Sequence, residues 1–427
     1  MSHGTWQAPA APAPVRATVR LPGSKSITNR ALVLAALSAS PAVIREPLRA
    51  RDTSLATAAL RTLGYDIDES ITSLSITPGT PPSGAVLGVD VGNAGTVMRF
   101  LPAVAALTPA TVSFDGDARA RERPVGALLG ALRALGVSID GDAVPFTVHG
   151  TGRVPGGRVT LDASGSSQLV SGLLLAAARF DDGVEVQHSG PPVPSLPHIE
   201  MTLRMLSMAG ASATAAGSDA WRVSPGPINL GDFTVEPDLS NAGPFLAAAL
   251  VTGGEVTIPG WPSDSLQAAD AIIDAVTSMG ATHTFTPAGL VIKGSGEVRG
   301  ITADLRDIPE LAQVLAAVAA VASSPSKFTG LAHTRRHETD RLAAMAKEIN
   351  ALGGDVTELP DGLVINPRPL SPGDRPFDTY DDHRMVMAGA VLGLVVPGLP
   401  VANAETVGKT FPSFIEVWSS MLSDPEH

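Results

Sequence analysis

The sequence predicts an α/β fold of six repeated units, grouped as three in each of two domains. Two helical patterns alternate along the chain, each recurring about every seventy residues. Short Val/Ile/Thr-rich runs bounded by Gly and Pro fill the gaps between them.

The first pattern is an amphipathic helix closed by glycine. Its copies are "SLATAALRTLGYDID", "VGALLGALRALGVSID", "MTLRMLSMAGASAT", "LQAADAIIDAVTSMGATHT" and "RLAAMAKEINALGGDVTEL", with closing residues Gly64, Gly136, Gly210, Gly280 and Gly353. Glycine there suits the left-handed residue that ends a helix. The second pattern is richer in small apolar residues: "SITNRALVLAAL", "NAGTVMRFLPAVAAL", "SQLVSGLLLAAARF", "NAGPFLAAALVTG", "ELAQVLAAVAAV" and "HRMVMAGAVLGLVV", beginning at Ser26, Asn93, Ser167, Asn241, Glu310 and His383. Helices apolar nearly all round belong at the centre of a fold, with the amphipathic set outside them. Runs such as "VTLDAS", "GEVTIPG" and "FTVHG" supply the strands.

Six such units exceed what one core holds, so three plus three is the natural grouping. The Pro-rich stretch "SPGPINLGDFTVEPD" marks one crossing, and the other falls near residue 22 if an N-terminal strand packs on the later half. The domains are then 23–238 and 1–22 plus 239–427. The Ala/Pro-rich start, "MSHGTWQAPAAPAPVR", reads as a disordered tail without a secretory signal.

Composition narrows the function. The chain has 427 residues, 44% hydrophobic and 17% charged, enough for ample cores. A net charge of −12 argues against a general binder of nucleic acid or anionic membrane. Any anionic ligand must be held by a local cluster of cations. Without cysteine there are no disulfides, thiolate metal sites or cysteine nucleophiles. Apolar runs such as "LVLAALSASPAVI" break well before the ~20 residues of a membrane span, so a cytoplasmic protein is expected. A monomer is expected as well, though nothing in the sequence derives it. Among 30 basic residues only Lys25, Lys293, Lys327, Lys347 and Lys409 are lysines, so Lys25 in its Gly/Ser setting stands out.

If the units are equivalent, their helix starts face one way, and converging N-termini make an anion site. The first start offers Lys25 and Ser26, with Arg30 one turn on. The second offers Asn93, Gly95 and Thr96, and the third Ser166, Ser167 and Gln168. Taken singly, each polar start is equally well read as an N-cap. The amphipathic helices add "RARERP" with Arg119, Arg121 and Arg123, and "HTRRHETDR" with His337, Glu338 and Arg341; "YDDHR" brings Arg384 and "GKTFPS" brings Lys409. Cations at helix starts oppose the macrodipole, so Lys25 and Arg123 point to an arriving anion. Arg119, Arg121, Arg335 and Arg336 read as a solvated face. Glu310, after Pro309 at a buried helix start, and Glu338, on one helix face with Arg341, are either cap acids or a general base and acid. "PGSKS" lacks P-loop spacing, no G-x-S-x-G or H-E-x-x-H occurs, and "DDHR", His333 and His337 lack metal-site spacing, so no metal is expected.

Taken together, "LPGSKSITNR", "GNAGTVMRF", "RERPVGALLGALRALG", "SGSSQLVSGLLLAA", "SLPHIEMTLRM", "HETDRLAAM", "TYDDHRMVMA" and "GKTFPSFIEVW" closely resemble the 5-enolpyruvylshikimate-3-phosphate (EPSP) synthase family, from about residue 15 onward. The resemblance implies two domains of three βαβαββ units each, an inside-out α/β barrel with buried central helices. It implies transfer of the enolpyruvyl group of phosphoenolpyruvate to the 5-hydroxyl of shikimate 3-phosphate in aromatic amino-acid biosynthesis, without a cofactor, with domain closure and inhibition by glyphosate. By motif, Lys25 would touch both substrates and Gln168 would lie between them. Ser26, Arg30, Ser166, Ser167 and Ser195 would bind shikimate 3-phosphate, with Glu310, His333 and His337 beside it. Gly95, Arg123, Arg341, Arg384 and Lys409 would hold phosphoenolpyruvate. Glu310 matches the group that takes the 5-hydroxyl proton, and Glu338 with Lys25 those that protonate the methylene carbon.

Some positions depart from the commonest pattern: Glu310 stands for Asp, His337 for Lys, His333 for Asn, His198 for Tyr and Phe100 for Pro. The sister transferase acting on UDP-N-acetylglucosamine typically has a loop cysteine and an Asn after the first lysine; here there is no Cys, and Ser26 follows Lys25. A non-catalytic anion-binding homologue is a further alternative, opposed by the presence of both carboxylates and all the cations.

Overall fold

The computed structural model describes residues 4–79 and 83–423, and the chain forms two compact units. One is the continuous segment Gly23–Glu236. The other joins the N-terminal segment through Pro22 to the segment from Pro237 onward.

Within Gly23–Glu236 the βαβαββ pattern appears three times. The second repeat is the plainest: strand Val86–Asp90, helix Gly95–Ala106, strand Thr111–Asp115, helix Gly126–Ala134, then strands Ser138–Asp140 and Phe146–His149. Its first two strands pair in parallel and the last two antiparallel, giving one four-stranded mixed sheet. The third repeat has the same form, from Gly157–Leu161 to Ala220–Val223. In the first, the leading strand comes from the far end of the unit, where Asp232–Thr234 pairs in parallel with Ala42–Arg45.

The other unit repeats this device. Arg16–Thr18 leads the sheet of Glu255–Ile258, Ala281–Thr286 and Gly289–Gly294, and a complete repeat follows from Thr302–Asp304 to Gly362–Asn366. The last repeat departs from the pattern. After helix His383–Gly393 and strand Pro400–Ala402 come a 3₁₀ turn, Ala404–Lys409, and helix Phe414–Ser423.

Its strand partner is the supposed tail: Thr5–Gln7 pairs antiparallel with Pro400–Ala402, and Ala8 is buried against the core. The expected disorder is therefore wrong from residue 5 onward, because Trp6 and Ala8 are apolar anchors inside the Pro/Ala-rich stretch. Met1 to His3 lie outside the described residues.

The two helical patterns are placed as expected. Helices Lys25–Ala36, Gly95–Ala106 and Gln168–Ala177 pack on one another at the centre of the first unit, as do Leu239–Thr252, Ala312–Ala320 and His383–Gly393 in the other. Every residue of Gly95–Ala106 is buried. Small residues permit the close approach: a Cβ on Gly172 would stand 2.1 Å from the carbonyl oxygen of Arg99 on the neighbouring helix. The five closing glycines have φ between 85° and 116°. Among the described residues no helix is long and apolar enough to cross a membrane.

Candidate active site

In the unit Gly23–Glu236, hydrogen bonds tie the three central helix starts together. Asn29 donates to Thr96 Oγ1 (2.7 Å), Arg99 to Gln168 Oε1 (2.8 Å) and Arg30 to Ser171 Oγ (3.2 Å). Ser24 is the N-cap of the first helix, which frees Lys25 and Ser26 from capping. Lys25 Nζ lies 3.3 Å from the buried Asp52 carboxylate, so a carboxylate already partners this cation.

Arg30 is 1% exposed and surrounded by neutral groups. Its guanidinium donates to Thr202 Oγ1, Ser171 Oγ and the carbonyl oxygens of Ser26 and His198, and stacks 5.1 Å from the Phe100 ring centre. Burial lowers its pKa to about 9. A cation desolvated among neutral dipoles favours an arriving anion.

Arg123 lies in the connection between the 3₁₀ turn Ala118–Glu122 and helix Gly126–Ala134, outside the helix itself. Its Nη1 donates to Asn93 through both the main-chain oxygen and Oδ1 (2.7 and 3.0 Å), while its Nε is buried with no acceptor among the described residues. Gly95 sits against these groups: a Cβ there would stand 2.6 Å from Arg123 Nη2 and 2.9 Å from Arg99 Nη1. Ser166 accepts from Gln168 N (3.2 Å), and Ser167 is buried at the same start. Ser195 holds a left-handed φ of 53° just before helix Leu196–Met208 and makes no side-chain cap bond. Such backbone strain in a non-glycine residue concentrates at functional sites.

In the other unit the charged groups interlock. Arg341, at the start of helix Arg341–Ala351, donates to both oxygens of Asp382 (2.8 and 3.1 Å), to Glu338 Oε2 (3.1 Å) and to His337 Nδ1 (3.1 Å). Burial opposes its charge, yet Asp382, Glu338 and Glu310 together hold its pKa above the ordinary value. Glu338 precedes the helix, whose N-cap is Asp340, so its contact with Arg341 is made from the loop instead of along a helix face. Lys409, ending the 3₁₀ turn Ala404–Lys409, also donates to Glu338 (2.8 Å).

Arg384 is bonded differently. It donates to the carbonyl and hydroxyl of Ser240 (3.0 and 2.6 Å) and to Asn241 Oδ1 (3.4 Å), and its Nε is buried with no acceptor among the described residues. Burial lowers its pKa, with Asp238 opposing. Glu310, in the 3₁₀ turn Pro309–Leu311, is half-buried and close enough to act electrostatically on both Arg341 and Arg384. His333 and His337 meet edge to face, their ring centres 5.5 Å apart.

Of the four arginines read as a solvated face, Arg121 and Arg336 are exposed while Arg119 and Arg335 are half-buried. Arg119 pairs with Glu122, Arg121 with Asp115 and Arg335 with Asp340 and Glu358. Sequence reading missed most of the groups that orient the cations: Asp52, Arg99, Ser171, Thr202, Ser240 and Asp382; Asn93 it named as a helix start but not as the partner of Arg123. Of these, Arg99 lies within the quoted "GNAGTVMRF" and Asp382 within the quoted "YDDHR".

Comparison with known proteins adds the decisive observation. The sequence pattern of EPSP synthase (3-phosphoshikimate 1-carboxyvinyltransferase) matches residues 9–418. The chain belongs to the EPSP synthase family. It is 50% identical over 423 residues to the 3-phosphoshikimate 1-carboxyvinyltransferase of Mycobacterium ulcerans (strain Agy99), covering 98% of this chain and 97% of that one. Two solved structures of EPSP synthase from Acinetobacter baumannii share the fold, with TM-scores of 0.79 and 0.78 at 23% and 22% identity and 98% coverage of both chains. Against the commonest family pattern, Phe100 gains a physical sense here: its ring covers the guanidinium of Arg30 where a proline would offer less surface.

Proposed function

We propose that this chain is a 3-phosphoshikimate 1-carboxyvinyltransferase. It transfers the enolpyruvyl group of phosphoenolpyruvate to the 5-hydroxyl of shikimate 3-phosphate and releases phosphate, as a cytoplasmic monomer. The observation that carries the reading is that Arg30, Arg123, Arg341, Arg384 and Lys409 are buried, and that Arg123 and Arg384 each keep a desolvated Nε without an acceptor among the described residues. Such groups are costly unless a ligand satisfies them.

In this reading the domain spanning residues 23–238 supplies most contacts to shikimate 3-phosphate, through Lys25, Ser26, Arg30, Ser166, Ser167, Gln168 and Ser195. Glu310, His333 and His337 complete that set. Arg123, Arg341, Arg384 and Lys409, with Lys25, Gly95 and Gln168, take the phosphate and carboxylate of phosphoenolpyruvate. Glu310 accepts the 5-hydroxyl proton as the oxygen attacks C2 of phosphoenolpyruvate, and Glu338 with Lys25 delivers a proton to the methylene carbon. Loss of a proton from that carbon and of phosphate from C2 then restores the double bond. Fixed cations stabilise the charged addition intermediate in a dry environment, and holding two substrates together removes much of the entropic barrier.

The test is phosphate release from purified protein with both substrates, against controls lacking either one. Release only when both are present supports the reading; binding without release makes the chain a non-catalytic homologue. Sedimentation velocity tests the monomer.

A further inference from the structure

One buried carboxylate stands outside the chemistry proposed above. Glu348 is 1% exposed and lies two turns beyond Arg341 on helix Arg341–Ala351. It accepts four hydrogen bonds: two from Arg375 (2.7 and 2.8 Å), one from Tyr380 Oη (2.6 Å) and one from the main-chain nitrogen of Asp378 (3.0 Å). All four donors belong to one short segment leading to helix His383–Gly393. An apolar residue would fill a buried position at least as stably, so stability alone does not account for an ionisable one.

The segment it holds is strained. Tyr380 and Asp381 have φ of 51° and 55°, successive non-glycine residues in the left-handed region. Such backbone persists only where its surroundings fix it. On its other side Asn403 donates to the Asp381 carboxylate and Thr406 to its main-chain oxygen (3.1 Å). Asp382 comes next. Its carboxylate binds Arg341 through both oxygens and caps the helix that carries Arg384 by accepting from Arg384 N (2.9 Å). Residues seven apart share a helix face, so Arg341 and Glu348 grip the same segment from one helix at two points.

We propose that Glu348 is a positioning residue: through Tyr380 it holds the strained turn that presents Asp382, and so sets the orientation of Arg341 and Arg384 toward phosphoenolpyruvate. This rests on the assignment of those two arginines to phosphoenolpyruvate in the functional reading. No reacting atom touches Glu348.

The test uses Glu348→Gln and the milder Tyr380→Phe in the full chain, measuring steady-state phosphate release and amide hydrogen exchange. In both variants the KM for phosphoenolpyruvate should rise about tenfold while that for shikimate 3-phosphate stays within about twofold. Exchange should quicken across residues 378–386 and stay unchanged within helix Arg341–Ala351. If the KM for phosphoenolpyruvate or the exchange of 378–386 keeps its wild-type value in Tyr380→Phe, the proposal is overturned, as it is if quickening spreads through the whole unit. Should the wild-type protein release no phosphate, the functional reading fails separately, and the exchange pattern alone decides whether Glu348 holds the turn.

Discussion

Lys409 Nζ lies 2.8 Å from Glu338 Oε1, and both side chains are less than one tenth exposed. The second oxygen of Glu338 receives Arg341 at 3.1 Å, so one carboxylate is bracketed by two cations.

Removing that charge leaves Lys409 and Arg341 buried without it. Glu338→Gln is expected to lower kcat at least a hundredfold if Glu338 carries the methylene proton. It should also cost about 3 kcal/mol of stability, as breaking a buried pair does. Urea unfolding and steady-state kinetics measure the two effects; full activity in the variant removes Glu338 from proton transfer.

Gly95→Ala tests the crowding at the second helix start. The new methyl must displace the guanidinium groups of Arg123 and Arg99, which lie 2.6 and 2.9 Å from its position. The KM for phosphoenolpyruvate should rise at least about tenfold, with little change in thermal midpoint because the neighbours are side-chain ends. An unchanged KM places phosphoenolpyruvate elsewhere.

Glu310→Gln separates chemistry from binding. With no base for the 5-hydroxyl, kcat should fall by at least about a hundredfold. Calorimetric affinity for shikimate 3-phosphate should stay within about threefold, since the amide still accepts a hydrogen bond. A variant that turns over normally excludes Glu310 as the base.

Arg30 gives a pH signature. Its folded pKa is lowered by burial to about 9, well below the ordinary guanidinium value, and an anion bound beside it favours the charged form. Binding of shikimate 3-phosphate should therefore take up protons at pH 9 but not at pH 7, and affinity should decline as pH rises through about 9. The folding contribution has the opposite slope. From about pH 9 up to the ordinary guanidinium value the unfolded chain holds more protons at this residue, so Arg30's burial penalty is present in full below that window and relieved as pH rises. Calorimetry in buffers of different ionisation heat checks the uptake; none at pH 9 contradicts the placement of Arg30.

The repeats were legible because they are local: a helical period, a closing glycine and a polar start can each be read within one unit. Lys25 was legible as a candidate because it opens a helix, where capping prefers acids; the same argument picked out Arg123, although it lies in the connection before its helix. What sequence could not show is non-local. No local pattern pairs Asp232–Thr234 with Ala42–Arg45 or Thr5–Gln7 with Pro400–Ala402. The partners that orient the cations were equally hidden, since Asp52 reaches Lys25 and Asp382 reaches Arg341 only through folding. The left-handed turn at Tyr380 and Asp381 carries no glycine to announce it.

The strands that close each unit from a distance also impose an order in time. As the chain leaves the ribosome, the sheet begun by Ala42–Arg45 keeps an open edge until Asp232–Thr234 emerges. Arg16–Thr18 must wait longer, until the whole intervening unit has been made and Glu255–Ile258 follows. Thr5–Gln7, synthesised before every other described strand, is among the last of them to find its partner. Vectorial synthesis thus favours completing the Gly23–Glu236 unit first, with Thr5–Gln7 and Arg16–Thr18 held unpaired as a late-docking clasp.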